Sequence, residues 1–481
     1  MNFNSFDFLV FFPIVAILNF VVPLKFRFIP LLIASYYFYM SWNAKLVFLI
    51  LFTTAVSYIS GRFIEKYPKN KKLWLVISIV ASLSVLVFFK YYNFLAGGVS
   101  ALFSVFGAHT DFTIEGLLLP VGISFYTFQT LSYSIDVYRG NIPAEKNFFY
   151  YALFVSFFPQ LVAGPIERPE NLLPQLKAEH KFNYSDFCIG LKRILAGFYK
   201  KVVVADTAAI YVNRVFNDAQ NATGAAVIVA SVLFAVQIYC DFSGYTDIAI
   251  GCGRIMGYRL MQNFDRPYSA CNIKDFWARW HISLTSWFKD YLYIPLGGNR
   301  KGKNRQYINL FIVFLVSGLW HGADLTFVLW GIIHGIYRVV GMLTAKKRDG
   351  AYAKLGLDVS SKAVCLFRRA VTFAMVCFAW IFFRANNTAD LITLLSKMFT
   401  DFGAATVMAD MGITLTSVLI LALSAIVMTM VDKRFTYGEY TEQCGAQLRG
   451  GASAYMLWAV VFAWLVLIAG DGSSAFIYFQ F

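Results

Sequence analysis

The sequence predicts an all-α polytopic membrane protein, a bundle of roughly 11–13 transmembrane helices forming one domain over residues 1–481. Of the 481 residues, 58% are hydrophobic and only 14% are charged. A soluble protein of this length carries about a quarter charged residues. Long apolar runs recur along the chain, and short basic loops separate them. This alternation is typical of a chain that crosses a bilayer many times.

The net charge of +15 is concentrated in those short loops. Lys and Arg between apolar runs mark cytoplasmic loops and attract anionic lipid headgroups, so the charge indicates a bilayer partner and not nucleic acid. The seven cysteines form no CxxC pair, which indicates neither a disulfide framework nor a metal site. The first apolar run lacks a basic n-region and a small-residue cleavage site, so it is predicted to be a retained span.

The first half of the chain predicts a series of spans and one weaker segment. The loop KYPKNKK, residues 66–72, is the strongest basic cluster there and is expected to be cytoplasmic. Counting back through three spans places Lys25 and Arg27 inside and the N-terminus outside. The segment over 91–106 is shorter and is expected to be a tilted or interfacial helix. The predicted spans are 6–24, 28–42, 46–59, 73–89, 117–138 and 148–164.

Two features of the middle of the chain depart from a simple lipid-facing helix. Pro159 and Pro165 interrupt the run FFPQLVAGPIERP among polar residues, which indicates either a polar vestibule or ordinary helix ends. The span over 225–250 has the polar centre QIYCDFSGYTDIAIG, with Asp241, Ser243 and Asp247. Carboxylates facing lipid are costly. These groups therefore line a pore, bind a substrate, or form a buried network that fixes helix packing.

Between those two features, the helix over 187–201 is amphipathic and basic. It contains the run LKRILAGFYKK. A helix of this kind is expected to lie on the cytoplasmic membrane surface.

Residues 263–334 form the predicted catalytic core, because they hold three of the five histidines, His281, His321 and His334. Asn272 followed by Asp275 is typical of a helix N-terminus. Aromatic residues from 276 to 288 recur at helical spacing and predict one helix that dips into the protein from the cytoplasmic side. That helix would carry His281 on its buried face.

The next predicted helix, over 307–320, delivers His321 at depth. Gly318 and Gly322 form a small-xxx-small pair that favours close helix approach. Asp324 either orients the imidazole or caps the following helix, and capping is the simpler role. His334 is expected to be a packing histidine, and Ser283 and Ser317 are expected to be helix-packing residues.

The motifs DFWARWHISLTSWFKDYLYIPLGGN, SGLWHGA, FFPQLVAGPIERP, YCDFSGYTDIAIG and NFDRPY resemble the membrane-bound O-acyltransferase family. Over roughly residues 1–400, the sequence is similar to the bacterial branch with alginate O-acetyltransferases and the teichoic-acid D-alanyl transferase. The resemblance implies that His321 is catalytic and that His281 is its polar partner in a central channel. A thioester donor would enter that channel from the cytoplasm. The candidates for lining it are Asp241, Ser243, Asp247, Trp280 and Ser317.

Moving an acyl group from a thioester to a hydroxyl needs a base for the hydroxyl proton and a hydrogen-bond donor for the oxyanion. Histidine suits the first task because it titrates near neutral pH. A second imidazole can serve as the oxyanion donor or position the substrate. No Gly-x-Ser-x-Gly motif is present, so direct transfer at His321 is favoured over a serine acyl-enzyme. The co-substrate is expected to be acetyl-CoA or an acyl carrier protein, with no tightly bound cofactor.

The C-terminal tail, residues 471–481, ends in FIYFQF and follows a predicted span over 456–468. Phe476, Tyr478 and Phe481 resemble a tail motif of D-alanylation and related acylation systems. In those systems the tyrosine accepts the acyl group and passes it to an extracytoplasmic partner. The alternative is an aromatic anchor at the membrane interface.

The predicted function is therefore transfer of a short acyl group, acetyl, across the cytoplasmic membrane of a bacterium for O-acylation of an extracytoplasmic polysaccharide. Both termini are expected outside, and an SGNH or esterase-like partner is expected to complete the transfer. D-alanyl transfer from a carrier protein to teichoic acid is the alternative within the family. A transporter or channel for an anionic or lipid-linked substrate is the alternative outside it. A transporter typically shows inverted repeats, and the sequence shows no internal repeat.

Overall fold

The computed structural model describes residues 1–107, 110–162, 164–434 and 461–462. Within these ranges the chain is helical and forms no strand, apart from one isolated bridge between residues 264 and 280. This confirms the predicted all-α class. The α-helices are α1 Phe6–Val21, α2 Leu24–Met40, α3 Val47–Lys66, α4 Lys71–Leu86, α5 Tyr92–Val105, α6 Ile123–Arg139, α7 Phe148–Ser156, α8 Phe158–Leu161, α9 Pro169–Lys177, α10 Tyr184–Phe198, α11 Asp206–Phe216, α12 Gly224–Ile255, α13 Ile273–Arg279, α14 Ile282–Phe288, α15 Lys303–His321, α16 Leu325–Leu343, α17 Ala345–Lys354, α18 Lys362–Arg384, α19 Thr388–Thr400, α20 Val407–Met411 and α21 Leu415–Arg434.

Six helical segments in the described ranges are long and apolar enough to cross a membrane. An apolar helix of about 20 residues matches the thickness of the hydrocarbon core. The chain is thus a multi-pass membrane protein, whereas the count of 11–13 crossings stays a prediction. The segments are Ala44–Lys66, Pro68–Val105, Gly224–Ile255, Leu325–Leu343, Lys362–Arg384 and Leu415–Asp432.

The chain divides into two compact units. The first contains Met1–Ile194 and Tyr245–Met261, and the second contains Leu195–Gly244 and the chain from Gln262 onward. The predicted organisation as one domain stays a prediction. All three histidines of the predicted core belong to the second unit.

Polar side chains inside the first unit pair with one another. Ser78 on α4 and Ser134 on α6 share a hydrogen bond of 2.7 Å. The hydroxyl of Tyr151 on α7 donates to Ser57 on α3 at 2.7 Å. Away from water, such groups must find protein partners, and these bonds join α3, α4, α6 and α7 beyond their apolar packing.

Two predicted elements of this unit differ in the structure. The segment over 91–106 is not a separate helix, because the π-helix Val87–Tyr91 joins α4 to α5 without a turn. The predicted span over 148–164 breaks at Phe157, between α7 and α8. Pro159 fits this break because it lies in the first turn of α8, where its missing N–H would have no partner within the helix.

The basic helix over 187–201 is predicted to lie on the membrane surface, and this prediction is wrong for three of its basic residues. Arg193, Lys200 and Lys201 are buried, on α10 and on the π-helix Tyr199–Ala205 that follows it. In the first unit, Arg193 forms an ion pair with Asp247 at 2.8 Å. In the second unit, Lys200 forms an ion pair with Asp432 at 2.5 Å. Buried charges persist where partners of opposite sign compensate them, and these partners lie far away in sequence.

The close helix approach predicted at Gly318 is confirmed in the second unit. A Cβ atom added at Gly318 would lie 2.3 Å from the carbonyl oxygen of Phe327 on α16. On the opposing helix, a Cβ atom at Gly331 would lie 2.4 Å from the carbonyl oxygen of Phe314 on α15. Glycine at both positions therefore allows the backbones of α15 and α16 to touch next to His321.

Replacing Gly331 with alanine is expected to lower the free energy of unfolding by about 1–3 kcal/mol, because the new methyl group meets rigid backbone. Thermal unfolding in detergent micelles measures the change. Gly341→Ala on the same helix is the matched control, since nothing lies within 4 Å of its added Cβ atom. That variant is expected to be neutral or slightly stabilised. Equal melting of both variants would contradict the close approach.

Candidate active site

The helix predicted to continue through residue 288 is instead broken at His281. Helix α13 ends at Arg279, and α14 begins at Ile282. His281 between them has φ 45° and ψ 54°, a left-handed conformation that non-glycine residues adopt only at a cost. The aromatic residues keep helical spacing on both sides, so periodicity alone does not reveal the break.

Short backbone contacts hold this conformation in place. The carbonyl of His281 accepts the Thr285 N–H at 2.9 Å, which starts α14. On the other side, Phe264 and Trp280 form an antiparallel bridge. Strained residues persist only where their surroundings fix them, and they concentrate at functional sites.

The imidazole of His281 lies among aromatic rings and one amide. The rings of Phe242 and Trp320 lie 4.7 and 5.9 Å from it, centroid to centroid. The Asn263 Oδ1 atom lies 3.3 Å from its Nδ1 atom. His281 lies outside the six candidate spans, and complete burial lowers the pKa of its imidazole to about 3. The imidazole is therefore neutral at pH 7.

His321 is the last residue of α15, and its residue surface is 4% exposed. Its imidazole lies 4.9 Å from the ring of Trp320, 5.0 Å from Trp330 and 5.2 Å from Phe383. The indole of Trp320 thus meets both His281 and His321. His281 therefore contacts the residue that directly precedes His321. The pairing of the two histidines and the central channel implied by the resemblance stay predictions.

Helix α18 supplies two aromatic residues that the sequence analysis missed, Trp380 and Phe383. The Trp380 ring lies 5.2 Å from Trp280 and 6.0 Å from Trp330, and it thereby joins the surroundings of the two histidines. Trp280 itself is 1% exposed. The sequence signal for this role of α18 is the aromatic spacing in FAWIFFR, a pattern that also suits a lipid-facing helix.

His334 is a packing histidine, as predicted. It is fully buried, and its Nδ1 atom accepts the indole N–H of Trp277 at 3.2 Å.

The predicted capping roles are also confirmed. The side chain of Asn272 accepts the Asp275 N–H at the start of α13. Asp324 accepts the Thr326 N–H at 2.8 Å at the start of α16.

The carboxylates in the centre of α12 are held in ion pairs. Asp241 pairs with Lys201 at 2.7 Å, and Lys201 also pairs with Asp206 at 2.9 Å. Asp247 belongs to the first unit, where Arg193 is its partner. These contacts are those expected of a network that fixes helix packing.

Two other predicted site residues, Ser243 and Ser317, are also buried. Tyr478 and the rest of the tail lie outside the described residues.

Residues 34–385 match the family model described as MBOAT, membrane-bound O-acyltransferase family. The chain belongs to the membrane-bound O-acyltransferase family. Membership of this family shows that the chain is an O-acyltransferase. This activity takes the place of the predicted alternative, a transporter or channel. The two imidazoles at Trp320 lie within a chain whose family moves acyl groups to hydroxyls.

Curated relatives of this membrane-bound O-acyltransferase carry related names. It is 39% identical over 404 residues to the probable alginate O-acetylase AlgI of Pseudomonas putida, covering 83% of this chain and 80% of the relative. It is 36% identical to the peptidoglycan O-acetyltransferase of Helicobacter pylori, covering 76% and 73%. It is 28% identical to the teichoic acid D-alanyltransferase of Bacillus subtilis, covering 56% and 69%.

Replacing Lys201 with methionine is expected to lower the free energy of unfolding of this acyltransferase by about 3–5 kcal/mol. The change removes the charge that compensates two carboxylates, Asp206 and Asp241, in a buried site. Thermal unfolding in detergent measures the effect. Lys397→Met is the control, because Lys397 is partly exposed and its partner Asp401 is half exposed, and such a pair near the surface is worth less than about 1 kcal/mol. A loss no larger than that of the control would contradict a structural role for the network.

Proposed function

We propose that this protein transfers an acetyl group from a cytoplasmic thioester to a hydroxyl, for O-acetylation of an extracytoplasmic polysaccharide. The observation that carries the proposal is the placement of His281 and His321 against one indole, that of Trp320. Two nearby imidazoles suit a reaction that moves one proton and develops one oxyanion. The relatives named for alginate and peptidoglycan O-acetylation support acetyl as the group and a polysaccharide as the destination.

In the proposed reaction, the hydroxyl oxygen attacks the thioester carbonyl while His321 takes the hydroxyl proton. The tetrahedral oxyanion then collapses, the carbon–sulfur bond breaks, and the proton passes from His321 to the departing thiolate. The new ester and a free thiol are the products. His281 serves either as a hydrogen-bond donor to the oxyanion or as a group that positions the substrate.

Tyr478 is the proposed first acceptor. A phenol has a pKa near 10, well below that of an alkyl alcohol, so its ester retains transfer potential between a thioester and a sugar ester. A separate SGNH or esterase-like protein outside the membrane then takes the acetyl group to the polysaccharide. This relay requires the C-terminus on the extracytoplasmic side of a bacterial cytoplasmic membrane, and the basic loops of the first half favour the same side for the N-terminus. The alternative role of Tyr478 is an interfacial anchor.

D-alanyl transfer to teichoic acid is the second candidate. The similarity to the teichoic acid D-alanyltransferase of Bacillus subtilis favours it. The identity is lower and the coverage of this chain smaller than for the O-acetylating relatives. In that case the donor is a carrier protein, whereas acetyl transfer can use either acetyl-CoA or a carrier.

Reconstitution into proteoliposomes tests the proposal. The purified chain receives labelled acetyl-CoA, acetyl carrier protein or D-alanyl carrier protein outside the vesicles, and mass spectrometry weighs the intact chain. We expect an added mass of one acetyl group from an acetyl donor. If only D-alanine were transferred, D-alanyl transfer would be the function and acetyl transfer would be wrong. No transfer to any hydroxyl from the three donors would overturn the proposal.

A further inference from the structure

Asn263 contacts the imidazole of the strained His281 and the two residues that follow it. It lies 18 residues earlier in the chain and is fully buried. Its backbone carbonyl accepts the N–H of Ile282, the residue after His281, at 2.9 Å. Its side-chain Oδ1 atom accepts the hydroxyl of Ser283 at 2.6 Å and lies 3.3 Å from the Ser283 backbone nitrogen.

The contact with the Ser283 backbone decides which way the Asn263 amide points. A backbone N–H can only donate, so the atom that faces it must be the amide oxygen and not the NH₂ group. With the amide reversed, two hydrogen-bond donors would face each other at a buried site. The orientation of the amide therefore follows from the chemistry of its partner.

The same oxygen fixes the tautomer of His281. The Nδ1 atom of the imidazole lies 3.3 Å from Asn263 Oδ1, which can only accept. The proton of a neutral imidazole is therefore held on Nδ1. The other ring nitrogen, Nε2, then carries the lone pair and can accept a hydrogen bond.

We propose that Asn263 is a positioning residue for acyl transfer, which holds His281 as the Nδ1–H tautomer so that Nε2 accepts a hydrogen bond from the substrate. The inference rests on the proposed function, which places His281 in the transfer site. It selects between the two roles left open there. Neutral His281 positions an N–H or O–H group of the substrate and does not donate to the oxyanion, because its Nε2 atom has no proton to give.

Solid-state NMR of the full chain in lipid bilayers, labelled with ¹⁵N-histidine, tests the tautomer directly. The His281 signals are assigned by their loss in His281→Ala. We expect Nδ1 protonated and Nε2 unprotonated at pH 7. A protonated Nε2 in the wild-type protein would overturn the inference.

Two substitutions of Asn263 separate positioning from simple packing. Asn263→Leu removes the oxygen and is expected to mix the tautomers and slow acyl transfer by about 10- to 100-fold, the size found for residues that orient metal-bound histidines. Asn263→Asp keeps an oxygen acceptor for all three donors. It is expected to retain the Nδ1–H signal and a rate within about tenfold of wild type. Should Asn263→Leu fail to fold, the wild-type and Asn263→Asp spectra still decide the question.

Asn309→Leu is the matched control. Asn309 is also fully buried in the second unit, and its side chain donates to the Gly298 carbonyl at 2.9 Å. Its loss should lower stability but leave the His281 spectrum and turnover unchanged. If the His281→Ala variant transferred acyl groups at the wild-type rate, His281 would have no part in the proposed function. Loss of transfer in His281→Ala, with an unchanged rate and spectrum in Asn263→Leu, would overturn this inference alone.

Discussion

Replacing His321 with alanine is expected to slow acyl transfer by about 10²- to 10⁴-fold, the contribution typical of a positioned general base. Without the imidazole, the attacking hydroxyl keeps its proton as the thioester carbonyl is attacked. The fold should tolerate the change better than the reaction does, because His321 is the last residue of α15 and not part of its interior. Release of labelled acetyl from the thioester in proteoliposomes measures the rate.

His334→Asn is the matched control for that experiment. His334 is as deeply buried as the catalytic candidates, and its side chain meets Trp277 and Trp330. An asparagine oxygen can accept the Trp277 N–H in place of Nδ1. We expect transfer within a few-fold of wild type, together with some loss of stability. Equal transfer by His321→Ala and wild type would exclude His321 as the base.

Replacing Tyr478 with phenylalanine is expected to abolish acylation of the surface polysaccharide while the protein remains folded and inserted. The substitution keeps the ring and its packing and removes only the hydroxyl that the proposed relay esterifies. The measurement is the O-acetyl content of surface polysaccharide from cells that carry the variant. Intact mass of the purified chain should show no added acetyl group.

Tyr67→Phe provides the control for the tail. Tyr67 is an exposed tyrosine between α3 and α4, far in sequence from the predicted catalytic core. Removing its hydroxyl should leave surface acylation unchanged. If Tyr478→Phe likewise leaves surface acylation at the wild-type level, the relay is wrong and the interfacial anchor is the remaining role.

The sequence by itself determined the membrane class and the order of most helices. Hydropathy, helix caps and small residues at helix contacts depend on a few neighbouring positions, so the sequence alone is enough to predict them. The cap at Asn272, the cap at Asp324 and the close approach at Gly318 are all local signals of this kind.

Only the tertiary structure decided the conformation around His281 and the place of the basic helix. At the break, His281 and Ile282 contact Asn263, which lies 18 residues before His281, so helical periodicity could not reveal the break. Lys200 and Arg193 are buried because carboxylates on other helices compensate their charges. The free energy of a buried charge or a strained residue is set by its neighbours in space, and a linear sequence does not specify which distant residues those neighbours are.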